Sequence, residues 1–369
     1  MWTRAAPTPR IGSMVVSRAM FSTEALSRLA CPACGKSPLQ HKILEAQDDR
    51  TIQEAVVWCD SCRAWFPLED GVLDLLMGDL AYVDDRKAFA GRRAAELRGL
   101  GLSPGAGTEA SVESDLQSKQ QAHFDWYAQN EKQSYLEYEQ MPFWEAVDEL
   151  TFADWRPRFT PGGWLLDVGC GNGRSTFKIA DLDINVLAFD VSKGAIRQAE
   201  ARARAAHPNA RMSFLAADAK RFPIRDAVMD HVLIYGVLHH VPDPRATCLE
   251  VARILKPGGI YFGSENNETI FRAIFDLLQR LKPIWYEEAG PEALISDTTV
   301  RQAFASTGVD VTTRSMVFVP PHLINLLPRD LGRSVLRVAD RVGRAVPVVS
   351  SNGGLIVIEG TKSASAPAG

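Results

Sequence analysis

The chain has 369 residues, 46% hydrophobic and 23% charged, which is the balance of a globular protein with room for two domains. Its formal net charge of −4 excludes a global attraction for nucleic acid. No apolar stretch in the sequence is long enough for a membrane-spanning helix.

Residues 1–23 hold Arg4, Arg10 and Arg18, no acid and no secretory apolar stretch, and are expected to form a disordered tail on a cytoplasmic protein. Cys31, Cys34, Cys59 and Cys62 then form two C-x-x-C pairs with 24 residues between the inner members. Each pair can wrap one side of a tetrahedral ion. Four thiolates close a zinc site and leave no position for substrate, so the expected metal is structural. Two disulfides are the alternative, disfavoured in a chain without a secretion signal. The runs CPACGKSPL and WCDSCRAWFPLEDGVLDLL resemble the zinc-ribbon family that includes the activator subunit of tRNA and translation-factor methyltransferases. The resemblance implies a ribbon domain over residues 24–82. Arg63 stands where that family usually has glycine, and Gly71-Val72-Leu73 where it has Gly-Ile-Pro. Between Glu24 and Leu80 there are ten acids and five bases, a surface that would repel a phosphate backbone.

Residues 83–115 read as a linker, with a short helix between Arg86 and Leu97 and a flexible Gly/Ser/Pro-rich stretch from 99. Residues 116–150 turn helical and aromatic, with His123, Phe124, Trp126, Tyr127, Tyr135, Tyr138, Phe143 and Trp144.

The run LLDVGCGNG (165–173) is an apolar strand ending at Asp167 and turning into Gly169, Gly171 and Gly173. Glycine is suited to left-handed backbone and to close approach by a ligand, and at the end of a buried strand it marks the crevice of an open α/β sheet. INVLAFD (184–190) reads as a second strand ending on Asp190, with Ser192 as the next helix cap. MSFLAAD (212–218) is a third, ending on Asp218. HVLIYGVLHHVPDP (231–244) is a fourth strand, a loop and a helix start with Asp243 as cap and Pro244 in the first turn. KPGG (256–259) opens a fifth.

In type, order and spacing these segments resemble the class I S-adenosylmethionine-dependent methyltransferases, in particular the type 11 small-molecule branch, from Leu165 to Gly263. The resemblance implies an α/β fold over residues 116–362, a seven-stranded doubly wound Rossmann-like sheet, with 116–150 as a lid. It implies S-adenosylmethionine as cofactor. Asp167, Gly169, Gly171 and Gly173 would lie at its methionine part, Asp190 and Val191 at the ribose, Asp218 and Ala219 at the adenine, and Tyr235 on the opposite side. A carboxylate can accept both hydrogens of a vicinal diol, in the stronger charge-assisted class of hydrogen bond. A nicotinamide fingerprint would need a glycine where Arg174 stands. His239 and His240, where the fourth strand opens on the crevice, are candidate general bases. Tyr235-Gly236-Val237-Leu238 replaces the Asn/Asp-Pro-Pro-aromatic motif of enzymes that methylate exocyclic amines. The expected reaction is methyl transfer to oxygen or carbon of a small or lipid-linked acceptor. An RNA methyltransferase gripping substrate with the ribbon, and a catalytically silent scaffold, are the alternatives.

Residues 270–281 read as a helix with a stripe at Phe271, Ile274, Phe275 and Leu278, and 282–296 as the acceptor pocket. Asp297 is the expected cap of a further helix, followed by a sixth strand (309–319) and a seventh (354–360). The insert 320–352 between them holds Arg329, Arg333, Arg337, Arg341 and Arg344, with Leu331, Val335, Val338 and Val342 near one face. It reads as a solvated surface helix, with peripheral membrane contact through 329–345 as the competing reading. Residues 363–369 are expected to be a disordered tail.

Overall fold

The computed structural model describes residues 21–46, 48, 51–105, 115–129, 140–283 and 294–364. Its strands are β1 (Phe21–Ser22), β2 (Gln40–Ala46), β3 (Thr51–Trp58), β4 (Trp65–Glu69), β5 (Val72–Asp74), β6 (Trp164–Val168), β7 (Asn185–Asp190), β8 (Arg211–Ala216), β9 (Met229–Tyr235), β10 (Leu255–Asn266), β11 (Val309–Met316) and β12 (Leu355–Lys362). The helices are α1 (Thr23–Leu26), α2 (Val83–Arg92), α3 (Ala94–Gly99), α4 (Asp115–Gln129), α5 (Pro142–Trp155), α6 (Arg174–Phe177), α7 (Lys193–Ala206), α8 (Pro244–Ile254), α9 (Ile270–Leu281), α10 (Asp297–Phe304), α11 (Pro321–Ile324) and α12 (Arg329–Ala345).

Among the described residues the strands form one sheet, in the order β1-β3-β4-β5-β8-β7-β6-β9-β10-β12-β11, with β2 on β3. The seven strands from β8 to β11 make the Rossmann-like sheet expected from the sequence. β8, β7, β6, β9 and β10 pair in parallel, and the Trp164–Val168 strand is buried along its whole length, as a strand covered by helices on both faces must be. β12 departs from the parallel pattern and runs antiparallel to both β10 and β11.

The ribbon continues this sheet. β5 pairs in parallel with β8, placing Val72, Leu73 and Asp74 opposite Phe214, Leu215 and Ala216. The cysteine module and the glycine-loop sheet therefore share backbone hydrogen bonds and one hydrophobic core, which runs from Phe21 and Leu39 to Leu215 and Ile358. Phe21, placed by the sequence in the N-terminal tail, is fully buried and pairs with Ile52. Residues 1–20 and 365–369 lie outside the described residues.

The stretch read as a linker is helical and packed up to Leu102. Phe89, Ala90, Leu97 and Leu102 bury against Val56 and Trp65, and Trp65 Nε1 donates to the Ser103 carbonyl at 2.8 Å. Burying Phe89, Leu97 and Leu102 contributes roughly 1.5–3 kcal/mol each, which outweighs the local Gly/Ser/Pro signal.

Helix starts follow the expected chemistry at two places. Ser192 Oγ accepts from Ala195 N, and Asp243 accepts from Arg245 and Ala246 N–H with Pro244 as the first helical residue. At α10 the cap is Ser296 rather than Asp297. Ser296 is extended and accepts from Thr299 N–H, while Asp297 enters the helix and pairs with Arg301 at 2.8 Å.

Candidate active site and metal centre

The glycine turn follows β6 directly, with Gly169, Gly171 and Gly173 at φ of 66°, 54° and 95°. A Cβ on Gly169 would lie 2.5 Å from Val237, and one on Gly173 2.4 Å from Phe177. These two glycines let the turn pack. At Gly171 a Cβ would meet nothing within 4 Å, so this backbone is open to a ligand.

Carboxylates surround the turn. Asp190 Oδ2 accepts from Gly171 N–H and Oδ1 from Ser192 N–H, both at 2.9 Å. Burial raises its pKa, with the charge of Asp125 adding to the effect and these N–H groups opposing it. Two accepted bonds leave a carboxylate further lone pairs for hydroxyls. Asp167 is fully buried; its Oδ2 accepts from Ser175 (2.9 Å) and Thr176 (2.6 Å), while Oδ1 has no hydrogen-bond partner. Burial pushes this acid up to about 7, against the pull of the two hydroxyls. An orphaned buried oxygen beside an open glycine turn fits a ligand that carries an ammonium group.

Asp218 lies two residues beyond β8 and accepts from Gln117 Nε2 at 2.7 Å. Gln117 belongs to α4, which also reaches the second acid's loop: Gln121 donates to the Val191 carbonyl at 3.1 Å, and Asp125 accepts from Ser192 Oγ at 2.6 Å. The helix expected as a lid thus bridges the loops after β7 and β8, and its Phe124 ring meets His240 edge-on at 5.7 Å. Tyr135 and Tyr138, and most of the expected acceptor-pocket segment, lie outside the described residues. Ala219 is half-buried, its carbonyl 3.4 Å from Thr247 Oγ1.

Tyr235 closes β9. Its hydroxyl donates to Asp148 at 2.8 Å, and its ring lies 5.5 Å from Phe152 of α5, which leaves the ring itself as the surface it can offer a ligand. Asp148 is buried, yet Arg174 (2.6 Å) and Lys178 (3.0 Å) hold it below the usual carboxylate range. The bulky Arg174 that breaks the nicotinamide fingerprint anchors the turn to α5.

The two histidines have different surroundings. His239 Nδ1 lies 2.7 Å from Glu265 Oε2, and Glu265 Oε1 accepts from the N–H groups of Val237 and Leu238. The carboxylate oxygen beside Nδ1 orients the imidazole ring. The His240 ring lies 4.0 Å from that of His239, tilted by 46°, and burial, with the charges of His239 and His123, holds it well below its ordinary pKa. Glu265 was not found by sequence reasoning. The available signal was an acid at the carboxyl end of the fifth strand, the position that also holds Asp190 in the second.

At the far end of the shared sheet, Cys31 Sγ and Cys62 Sγ are 3.6 Å apart, as are Cys34 Sγ and Cys59 Sγ. All four sulfurs lie within 4.8 Å of one another, and none is in a disulfide. Ligands at about 2.3 Å from one tetrahedral ion stand roughly 3.8 Å apart, so the spacing suits zinc. Gly35 N–H donates to the Cys31 carbonyl and Arg63 N–H to that of Cys59. Arg63 adopts φ of 60°, left-handed backbone that favours glycine, and its guanidinium donates to the Leu100 carbonyl at 2.6 Å.

Comparison with known proteins agrees with this geometry. Residues 166–263 match the family model described as Methyltransferase domain. Residues 166–263 are a methyltransferase domain. It is 38% identical to the 27-O-demethylrifamycin SV methyltransferase of Amycolatopsis mediterranei over 99 residues, 27% of this chain and 36% of that one. It is 25% identical to the ubiquinone biosynthesis O-methyltransferase of Rhizobium rhizogenes over 183 residues, 48% of this chain and 73% of the relative. The first curated relatives are therefore spanned over little more than a third of their length. Among solved structures, a complex of a methyltransferase activator with a putative methyltransferase from Haloferax volcanii aligns with 69% of this chain and all of that chain, at 21% identity and a TM-score of 0.46.

Proposed function

We propose that the protein transfers a methyl group from S-adenosylmethionine to oxygen or carbon of a small or lipid-linked acceptor. The observation that carries this reading is the His239–Glu265 pair, a histidine oriented by a buried carboxylate on the loop whose Val237 packs against Gly169 of a glycine turn that Asp167 precedes and Asp190 bonds. S-adenosylmethionine, when bound, supplies a methyl group on cationic sulfur.

The chain's own residues do the rest. Gly169, Gly171 and Gly173 bring backbone close to the ligand, and Asp167 Oδ1 takes its ammonium. Asp190, with Val191 beside it, accepts the ribose hydroxyls. Asp218 and Ala219 face the adenine edge, and Tyr235 presents its ring from the other side. His239 Nε2 takes the acceptor's proton and Glu265 stabilises the resulting imidazolium. His240, held neutral, packs against α4 and keeps water from the pair. Holding donor and acceptor in line accounts for much of the rate in such displacements.

The relatives named for O-methylation support oxygen as the acceptor atom. We further assign a structural zinc to Cys31, Cys34, Cys59 and Cys62, and a unit organisation of ribbon (24–82) followed by methyltransferase (116–362). Tritiated methyl transfer to fractionated lipids, polar metabolites, RNA and protein tests the reaction. Label entering lipid or metabolite fractions is expected; label confined to RNA or protein overturns the acceptor class.

A further inference from the structure

Helices α9 and α12 are amphipathic, and both turn an apolar stripe outward. In α9 the exposed residues are Ile270, Ile274, Leu277 and Leu281, while Phe275 on the opposite side is buried. In α12 they are Leu331, Val335, Val338 and Val342, while Gly332, Leu336, Asp340 and Gly343 face the protein. Each stripe repeats at i, i+4, i+7 and i+11, one continuous face of a helix. The inversion in α12 has a packing cause: a Cβ on Gly343 would lie 2.2 Å from Phe318, and one on Gly332 2.8 Å from the Ile324 carbonyl. The glycine face approaches closely and the valine face is left outside.

The two helices share one side of the molecule. Phe318, against Gly343 of α12, also meets Phe271 of α9 edge-on at 6.0 Å. His322 of α11, which precedes α12, is 2.9 Å from the Lys282 carbonyl at the end of α9. Leu323 and Leu326, 56% and 72% exposed, extend the apolar surface between them.

Its charge is predominantly positive. Across α9 with Lys282, and α12, eight bases (Arg272, Arg280, Lys282, Arg329, Arg333, Arg337, Arg341 and Arg344) face three acids (Asp276, Asp330 and Asp340) in a chain whose net charge is −4. Arg329 pairs with Glu145, and Arg333 and Arg337 with Glu149, on the flank next to α5. Arg280, Lys282 and Arg341 are exposed and make no side-chain ion pair among the described residues. Apolar stripes bordered by arginine and lysine match the boundary between acyl chains and anionic headgroups.

We propose that this face docks on an anionic lipid bilayer. The surface stands on its own observations. Its use rests on the methyltransfer reading: Ile270 follows Glu265 by five residues, so a docked face sets the crevice mouth beside the bilayer and selects acceptors dissolved in it.

The test is cosedimentation of the full chain with vesicles of phosphatidylcholine alone and of equimolar phosphatidylcholine and phosphatidylglycerol. Binding to the anionic vesicles is expected, weakening with salt. Leu277→Asp with Val338→Asp should lower it about tenfold or more, with thermal transition and calorimetric affinity for S-adenosylhomocysteine unchanged. Arg280→Glu with Arg341→Glu should lower anionic-vesicle binding alone. Wild-type protein left in the supernatant with both vesicles overturns the proposal. So does a wild-type dimer, seen by sedimentation velocity, that the Asp variants dissociate without any vesicle binding. Loss of S-adenosylhomocysteine binding in the wild type would overturn the reaction instead, leaving the docking result to be read by itself.

Discussion

The Lys193 ammonium lies 3.4 Å from the buried Asp74 carboxylate, linking the helix that follows Asp190 to the last ribbon strand. Lys193 also meets Asp85 of α2 at 2.8 Å. Asp85 loses some solvation there, but the bonds from Lys193 prevail and hold its pKa below the ordinary value. Asp74 keeps a second cation, Arg86, at 3.5 Å. Removing one partner of a buried pair typically costs about 3–5 kcal/mol, because the other charge stays buried. Lys193→Ala is therefore expected to destabilise the protein by about that much in urea titrations and to raise hydrogen exchange at Val72–Asp74. A change below about 0.5 kcal/mol would mean that Arg86 alone satisfies Asp74.

Elemental analysis should find one zinc per chain. Because β5 pairs with β8, losing the metal is expected to loosen the methyltransferase sheet as well as the ribbon. Cys59→Ser should lose the zinc, and amides at Phe214–Ala216 should exchange faster than in the parent. Full protection there after complete chelation would separate the metal from the sheet.

Asp190→Ala should weaken S-adenosylhomocysteine binding in calorimetry by about 2 kcal/mol, the scale of charge-assisted hydrogen bonds. Asp190→Asn, which keeps acceptors for Gly171 and Ser192 N–H, should lose less. Unchanged affinity in both would remove this acid from the site.

His239→Ala should reduce kcat by about 10²–10⁴-fold, the usual contribution of a general base, with little change in cofactor affinity. Glu265→Gln should move the alkaline-activating limb of the pH–rate profile to lower pH, since a neutral amide no longer stabilises the imidazolium. His240→Ala with the same kcat loss as His239→Ala would contradict the assignment of roles.

His231 of β9 is buried, its Nε2 accepting from Thr160 N–H at 2.9 Å. Burial lowers its pKa from 6.5 to about 4. The unfolded chain therefore takes up this proton first as pH falls. The stability the neutral ring contributes is complete above 6.5 and is lost progressively toward 4, in all roughly 3 kcal/mol. Guanidinium unfolding at several pH values should show that loss in the wild type and a smaller one in His231→Gln.

Local chemistry made much of this chain readable. Asp190, Asp243, Pro244 and the cysteine pairs sit where a turn, cap or ligand set requires that residue type within a few positions of its neighbours. What sequence reading missed depends on distant partners. The pairing of Val72–Asp74 with Phe214–Ala216 joins segments about 140 residues apart in the chain, and no periodicity announces it. Glu265 gains meaning only when β10 lies beside β9. Arg63 in left-handed backbone is supported by the Leu100 carbonyl, part of a stretch whose composition signalled a linker. In α12 the apolar period was legible, but which face packs inward depends on Gly332 and Gly343, which bring the opposite face against Ile324 and Phe318.

The β5–β8 junction also protects both halves from self-association. Strand ends with unpaired N–H and C=O groups are templates for other chains. Cut apart near residue 82, the ribbon would bare β5 and the larger unit would bare β8, which contains Phe214 and Leu215. Carrying both on one polypeptide means that neither edge meets the cell uncapped once folding is complete.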